Sequence, residues 1–439
     1  MPQVCLTGPL RIWLAMLTLA TAGLAQTDPG VRGGAPAAGG KIAGLSDNQA
    51  KFFSAGQDAF LEVASVDGSV PDTEEGLGPR FNLDSCAGCH KFPAVGGSSP
   101  AINPQMTAAP LSQVTPLQIL NIISANGPIR EVRFASDGGV HDLFTIMGRP
   151  DTPAGCSISQ PDFNGHQADL RFRIPTPAFG AGLIEAIPDS AIAALAAMVK
   201  PYGITGHANR SGNDGSITRF GWKAQNKSLV VFAGEAYNVE QGITNEIFPD
   251  ERGEAGVQDP MACRVVNSAQ DHTHFGKDLA KNVPGDSVAF ANFMRFLAPP
   301  DSVSSYSGVG PGSISNGRAK FASIGCAVCH TPSLQTGIHD IAALRNQTAN
   351  LYSDLLVHNM GSLGDGISQG NAGPNDFRTA PLWGLGQRIF FLHDGRTNNL
   401  VAAIQAHSSA GSEATPVIGN FNALSAADKQ DLLNFLRSL

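Results

Sequence analysis

Two copies of the pattern Cys-x-x-Cys-His constrain this chain more than any other feature. They occupy residues 86–90 and 326–330 of 439. The pattern is the attachment signature of c-type haem: two thiols one helical turn apart bond to the porphyrin vinyl groups, and the next histidine binds the iron. The sequence therefore predicts two covalently bound haem c groups. The predicted thioether residues are Cys86, Cys89, Cys326 and Cys329, and the predicted proximal iron ligands are His90 and His330.

Other uses of these cysteines fit less well. A thioredoxin-like dithiol occurs near a βαβ pattern, and no such alternation flanks either copy. A four-cysteine zinc site would require two distant pairs to meet and would leave both histidines without a role. The copies also share the longer pattern Phe-x4-Cys-Ala-x-Cys-His, which begins at Phe81 and at Phe321. This repetition indicates a duplicated unit.

The predicted fold is mainly α, with two cytochrome c-like haem domains, long loops and an intervening segment. The 50 glycines and 29 prolines exceed the usual share and indicate long ordered loops. We expect a signal peptide at 1–25, an N-terminal haem domain at 26–203, an intervening segment at 204–300 and a C-terminal haem domain at 301–439. The net charge of −8 argues against a nucleic-acid partner.

Local signals place several helices. Ser46 is a good N-cap for a first helix, with a potential break at Gly56, and Ser425 is a good N-cap for the last. The residues from Pro299 to Ser315 are rich in proline, serine and glycine and are expected to form a linker. Further helices are expected at 117–125, 187–198 and 288–297.

The first 25 residues predict export. Arg11 is their only charge, an apolar run follows, and residues 23–25 offer a small-x-small cleavage site. No later stretch reaches about 18 uninterrupted apolar residues. We therefore expect a periplasmic protein whose mature chain has no membrane span, and a retained N-terminal anchor is the alternative.

Two cysteines remain once the haem thiols and Cys5 of the leader are set aside, Cys156 and Cys263. An oxidising compartment favours a disulfide between them. Because sequence cannot show whether two thiols meet, a pair of separate buried thiols is the alternative.

The C-terminal domain contains a candidate sixth iron ligand. Leu400, Ile404 and His407 are spaced i, i+4 and i+7, so the histidine falls on the apolar face of a predicted helix. Such a histidine is ordinarily a hydrogen-bonded core residue. Here a haem must occupy the core and its iron has an open position. His407 is therefore the first candidate for this ligand, and Met360 is the second.

Several stretches resemble the di-haem oxidoreductase family, some members of which are called thiol oxidoreductases. In the C-terminal third they are YSDLLVHNMG at 352–361, FRTAPLWGLG at 377–386 and FLHDGR at 391–396. PAFGAGLIEAI at 177–187 and GWKA at 221–224 match as well. The family is related to bacterial di-haem cytochrome c peroxidases and to MauG-type enzymes. The similarity covers most of the mature chain.

The resemblance implies a division of labour between the haems. In the relatives the C-terminal haem is six-coordinate and relays electrons, while the N-terminal haem reacts with peroxide. Their relay haem takes its sixth ligand from the position that His407 occupies here. A bis-histidine haem would have a lower potential than a His/Met haem. The relatives also suggest a structural calcium between the domains, for which this sequence identifies no ligands.

The surroundings of the N-terminal haem depart from the relatives, because the distal glutamate loop of the peroxidases is not found. Glu185 and Arg173 are the candidate catalytic residues, with Arg171 as an alternative to Arg173. Packed methionines and surface arginines are the ordinary finding at such positions. The candidate sixth ligands of this haem are Met106, His141 and Met147.

Two further features have competing interpretations. Arg396 could pair with a haem propionate and His393 could support it, but the surrounding His-Asp-Gly-Arg sequence is also an ordinary tight turn. Trp222 and Trp383 could carry electrons between the haems or could be core residues.

The sequence thus favours an oxidoreductase that transfers electrons from a small redox protein, through the C-terminal haem, to an N-terminal haem that reduces peroxide or a similar small oxidant. The alternative is a non-enzymatic electron carrier with both irons saturated by protein ligands. Thiol oxidation rests on the family label alone, because no further cysteine pair with dithiol spacing is present.

Overall fold

The computed structural model describes residues 26–108, 122–254, 257–264, 269–273 and 284–439. The predicted signal peptide and most of the helix expected at 117–125 lie outside these residues. The α-helices of the described part are α1 (Asp47–Leu61), α2 (Cys86–Cys89), α3 (Gln105–Ala108), α4 (Ala181–Glu185), α5 (Asp189–Ala197), α6 (Leu229–Gln241), α7 (Asp286–Phe296), α8 (Pro311–Ser323), α9 (Leu400–Gln405), α10 (Thr415–Ala423) and α11 (Ala426–Ser438).

The strands are short and form small separate sheets. They are β1 (Ala64–Ser65), β2 (Glu74–Glu75), β3 (Arg80–Phe81), β4 (Glu131–Phe134), β5 (Val140–His141), β6 (Phe144–Thr145), β7 (Leu170–Arg173), β8 (Leu334–Gln335), β9 (Thr348–Ala349), β10 (Val357–Asn359) and β11 (Asp376–Arg378). Strands β5, β4 and β7 form an antiparallel three-stranded sheet in that order, and the remaining strands pair two by two. Helices with minor sheets agree with the predicted mainly α class.

Helix α1 begins where the sequence predicts. The Ser46 hydroxyl accepts a hydrogen bond from the backbone N–H of Gln49, and the Gln49 side chain accepts one from the backbone N–H of Ser46. The potential break at Gly56 does not occur. A Cβ atom at Gly56 would overlap the carbonyl oxygen of Ala289 on α7. The glycine therefore allows two helices to pack closely and does not interrupt the first.

Two apolar cores organise the chain. In the first, α1 packs against α7, and the rings of Phe60 and Phe293 lie 4.9 Å apart between centroids. This core also includes residues of segment 204–300, which packs with the N-terminal domain. In the second, α8 packs against α11, with Phe321 and Phe435 at 5.5 Å. No helix of the described residues is long and apolar enough to cross a membrane.

Two boundaries differ from the sequence predictions. The linker expected to reach Ser315 ends earlier, because Gly310 is the N-cap of α8 and Pro311 occupies its first turn, where proline costs no hydrogen bond. Helix α9 ends at Gln405, so His407 lies just beyond the helix rather than on its face.

Cys156 and Cys263 form a disulfide across a sequence separation of 107 residues. We expect the double substitution Cys156→Ser with Cys263→Ser to lower the free energy of unfolding by about 4 kcal/mol, because the bond restricts a long loop in the unfolded chain. Guanidinium unfolding followed by tryptophan fluorescence measures this loss. The wild-type protein treated with dithiothreitol is the matched control and should approach the double variant. A difference below about 1 kcal/mol would show that the bond contributes little.

Candidate haem sites

Two cavities open beside the two Cys-x-x-Cys-His segments. The N-terminal cavity is lined by Cys86, Cys89 and His90 and contains about 1030 Å³ of empty space, including its mouth. The C-terminal cavity is lined by Cys326, Cys329 and His330 and contains about 1410 Å³. Most of the accessible lining of both is apolar.

The two segments have the same local geometry. Helix α2 brings the first two thiols onto one turn, and the backbone N–H of His90 donates to the carbonyl of Cys86 at 2.9 Å. In the second copy a 3₁₀ turn does the same, and His330 donates to Cys326 at 3.0 Å. Gly325 enters that turn with φ of 105°, a conformation that glycine adopts without strain.

Both proximal histidines are prepared to bind a metal. The Nδ1 atom of His90 is 3.1 Å from the carbonyl oxygen of Gly97, and that of His330 is 3.0 Å from the carbonyl oxygen of Tyr352. A proton on Nδ1 that donates to a carbonyl leaves Nε2 as the free ligand atom. Burial lowers the pKa of each imidazole to about 4, so both rings are neutral, as metal ligation requires.

His407 is oriented in the same way within the C-terminal cavity. Its Nδ1 atom is 2.8 Å from the carbonyl oxygen of Ala403, which again leaves Nε2 free. Burial lowers its pKa, and its ring lies close enough to His330 to disfavour protonation there. Met360, the second candidate, also lines this cavity. The structure brings both candidates to the predicted site, and their ligation stays a prediction.

Two other histidines line the C-terminal cavity. His358 has Nε2 at 3.1 Å from Asp354 and Nδ1 at 2.9 Å from Glu413, both carboxylate oxygens. Although burial opposes it, these carboxylates raise its pKa to about 12, so both nitrogens carry protons and neither can bind a metal. His393 is neutral, because burial lowers its pKa to about 4, and it stacks on Phe377 at 4.1 Å between centroids.

The N-terminal cavity has a polar side that the sequence analysis missed except for Arg173. Strand β4 supplies Glu131 and Arg133, whose ion pair measures 2.5 Å, and β7 supplies Arg173. The alternation Glu-Val-Arg-Phe in β4 was a usable signal for polar side chains on one face of a strand. Other lining residues not predicted are Gln105, Arg130, Tyr237, Glu240 and Met294.

Several candidates are not among the residues that line either cavity. Glu185 pairs with Arg295 at 2.7 Å and accepts a hydrogen bond from the backbone of Leu229. His141 lies between Glu254 and Asp137, at 2.6 and 3.0 Å. Arg171 donates to the carbonyl of Asp365, and Arg396 pairs with Asp394. Met106 and Met147 pack against the first apolar core. Their positions give no support to the roles that the sequence suggested.

Trp222 lies where the cavities approach one another. It lines the N-terminal cavity, the C-terminal cavity and a smaller third cavity, here called the bridging cavity, which Trp383 also lines. The indole Nε1 of Trp222 donates to the carbonyl oxygen of Ile174 at 2.9 Å. This bond fixes the ring between the two candidate haem sites.

The described residues contain one tight cluster of potential metal-binding side chains, formed by Cys329, Asp354 and His358. Cys329 belongs to a haem attachment segment, and the nitrogens of His358 are occupied by carboxylates. The cluster therefore does not identify the calcium site that the relatives suggest, and calcium binding stays a prediction.

The residues present fit a haem c in each cavity. Each cavity combines two thiols, a neutral imidazole with a free Nε2 and an apolar lining. Burial raises the pKa of the Cys86, Cys89 and Cys326 thiols, as expected for groups that face an apolar ligand rather than water.

The comparison with protein-family models agrees with this geometry. A family model described as "Di-haem oxidoreductase, putative peroxidase" matches residues 140–439. A search of curated protein sequences finds no significant match. Among solved structures, hydrazine synthase of Kuenenia stuttgartiensis, studied under xenon pressure, aligns over 98% of this chain and 100% of its own, with 13% identity and a TM-score of 0.39. That similarity is too low to support an inference.

Proposed function

The chain belongs to the di-haem oxidoreductase family, and we propose that it is an exported c-type protein in which the C-terminal haem relays electrons to a peroxide-reducing N-terminal haem. Its oxidoreductase role follows from the family. The direction of electron flow, the oxidant and the location are our proposal.

An asymmetry between the cavities carries this proposal. In the C-terminal cavity His330 and His407 both present a free Nε2 atom, an arrangement suited to a six-coordinate iron that exchanges only electrons. In the N-terminal cavity His90 is the only histidine among the described lining residues. An iron with one histidine ligand leaves a position for a substrate.

The polar side of the N-terminal cavity suits peroxide reduction. Converting hydrogen peroxide to two waters consumes two electrons and two protons, and a bound haem would supply electrons and a binding position for the oxidant. Burial raises the pKa of Glu240 to about 8, so this side chain is protonated at neutral pH and can donate a proton. The cationic side chain of Arg133 can orient a polar oxidant beside Glu131.

The burial of the two attachment segments supports electron entry at the C-terminal haem. All five residues of the second segment are partly exposed, whereas Ala87 and Cys89 of the first are buried. A small redox protein could therefore approach the C-terminal haem more closely. Trp222, fixed between the cavities, is the proposed path from one haem to the other.

Export to the periplasm is supported by the disulfide between Cys156 and Cys263, because such bonds persist in oxidising compartments. It is also supported by the attachment segments, since c-type haem on an exported chain is a bacterial arrangement. The leader expected at residues 1–25 provides the export signal.

Electron paramagnetic resonance of the ferric holoprotein tests the proposal. We expect one low-spin bis-histidine signal that peroxide leaves unchanged and one N-terminal haem signal that changes when peroxide is added. Two low-spin haems that do not react with peroxide would contradict the enzyme.

The position of Met294 favours the second candidate function, that of an electron carrier. Met294 is the one thioether among the described residues that line the N-terminal cavity. However, it lies one turn of α7 from Phe290, which contacts Phe60, and Phe60 contacts His90. This chain of contacts places Met294 on the His90 side of the cavity. We expect Met294→Leu to leave the spin state unchanged; conversion to high spin would support the carrier.

A further inference from the structure

Two arginines that face the C-terminal cavity have no acidic partner among the residues that the structure describes. The Nε atom of Arg378 donates to the carbonyl of Gly221 at 3.0 Å, and the Nε atom of Arg388 donates to the carbonyl of Phe390 at 3.0 Å. Neither guanidinium forms a salt bridge within the described part of the chain, whereas two buried arginines nearby, Arg173 and Arg437, pair with Asp365 and Asp28. Nη2 of Arg388 is buried with no hydrogen-bond partner among these residues.

Such an arrangement is costly without an anion. Burial lowers the pKa of each guanidinium to about 10, and the charge of Arg388 further lowers that of Arg378. Both residues are only partly exposed, and both line the same cavity, so two like charges lie near each other with little access to water. Buried charges are stable in proteins when they are paired. The missing negative charges must come from a bound group.

The position of the two side chains identifies that group. Both line the C-terminal cavity together with Cys326 and His330, and both also line the bridging cavity. The guanidinium of Arg388 lies 5.7 Å from the ring centre of Trp222. A haem held at Cys326 and Cys329 by its vinyl groups has two carboxylates at the edge of the ring away from the vinyl groups. Guanidinium groups match carboxylates in shape and charge.

We propose that Arg378 and Arg388 bind the propionate carboxylates of the C-terminal haem and orient this edge of the ring toward Trp222. The proposal rests on the di-haem assignment and adds the orientation of the second haem to it. The sequence had suggested Arg396 as the partner of a haem propionate, and the proposal replaces it. The Arg396 side chain is 43% exposed, pairs with Asp394 and does not line the cavity.

Spectroelectrochemical titration of the holoprotein tests this assignment. Loss of a nearby positive charge favours the ferric state, which carries one more positive charge than the ferrous state. For Arg388→Gln and Arg378→Gln we expect the equilibrium constant for reduction of the C-terminal haem to fall at least tenfold, about 59 mV for one electron. Arg388→Lys keeps the charge and should recover most of the shift. Arg396→Gln is the matched control and should leave the potential unchanged.

The titration should be made at mildly alkaline pH. Without the guanidinium, the pKa of a buried propionate rises, and uptake of a proton would hide the loss of charge. Mass spectrometry first confirms that each variant carries two haems. The Arg388→Gln protein could carry both haems and be less stable, yet keep the potential of the wild type. That result would overturn the proposal and assign the arginines a structural role. A wild-type protein without a haem at Cys326 and Cys329 would instead overturn the di-haem assignment, and this proposal with it.

Discussion

Replacing His407 with methionine is expected to raise the midpoint potential of the C-terminal haem by on the order of 0.1 V or more, because a thioether ligand favours ferrous iron more than an imidazole does. The effect should be confined to this haem. Redox titration followed by haem absorbance measures it, and the N-terminal haem serves as an internal reference.

We expect His407 to be the sixth iron ligand because it is oriented in the same way as His330 in the same cavity. His330 and His407 each have Nδ1 at hydrogen-bond distance from a carbonyl oxygen, at 3.0 and 2.8 Å. This contact fixes the tautomer and the ring, so that Nε2 is the ligand atom in both. His407→Gly removes the ligand altogether and should convert the low-spin ferric signal of this haem to high spin.

Two control variants distinguish His407 from its competitors. Met360 and His393 line the same cavity, so each could reach the iron. Both lie in the neighbourhood of Phe377 and Trp222, away from the apolar face formed by Leu400. We expect Met360→Leu and His393→Gln to leave the spin state unchanged. A high-spin signal in either control, with a normal His407→Gly protein, would transfer the ligand role to that residue.

The sequence could identify the candidate haem sites because the chemistry of haem attachment is local. Attachment needs two thiols and a histidine within five residues, and both such segments line a cavity in the structure. The sequence also pointed to His407, which lines the C-terminal cavity, although the reasoning about its position was partly wrong. The spacing from Leu400 predicted a helical face, whereas α9 ends at Gln405 and the carbonyl of Ala403 directs the histidine ring.

The remainder of the sites could not be predicted, because it depends on contacts between distant parts of the chain. Glu185 and Arg173 were equally plausible as charged residues near a family motif. Arg295, more than 100 residues later in the chain, forms an ion pair with Glu185, which does not line the N-terminal cavity. Arg173 does line it. Arg378 and Arg388 were overlooked for the same reason: an arginine without an acidic partner is recognised only when its surroundings are known.

A buried carboxylate that connects the two halves of the chain provides the second prediction with a large expected effect. Asp365, from the C-terminal half, is 2% exposed and accepts from Nη2 of Arg173 at 2.6 Å. Its other oxygen lies 3.0 Å from Nζ of Lys223. Both cations are buried and come from earlier parts of the chain. One buried carboxylate therefore pairs with two buried cations.

We expect Asp365→Ala to lower the free energy of unfolding by about 3–5 kcal/mol, because it removes the carboxylate that both buried cations contact. Asp394→Ala, which removes the partner of the exposed Arg396, is the matched control and should cost no more than about 1 kcal/mol. Denaturant unfolding of both variants beside the wild type measures the difference. Equal losses in the two variants would contradict a central role for Asp365.

The dependence of this loss on pH gives an independent check. Burial opposes ionisation of Asp365, but Arg173 and Lys223 outweigh it and lower its pKa below the ordinary value. A carboxyl group with a lowered pKa in the folded state stabilises the fold above its unfolded pKa, near 3.9, and this contribution disappears as the pH falls through the folded pKa. The difference in the free energy of unfolding between wild type and Asp365→Ala should thus be largest at neutral pH and should decrease below about pH 4. If this difference is the same at acidic pH, the variant has lost packing rather than a charge interaction, because packing does not titrate.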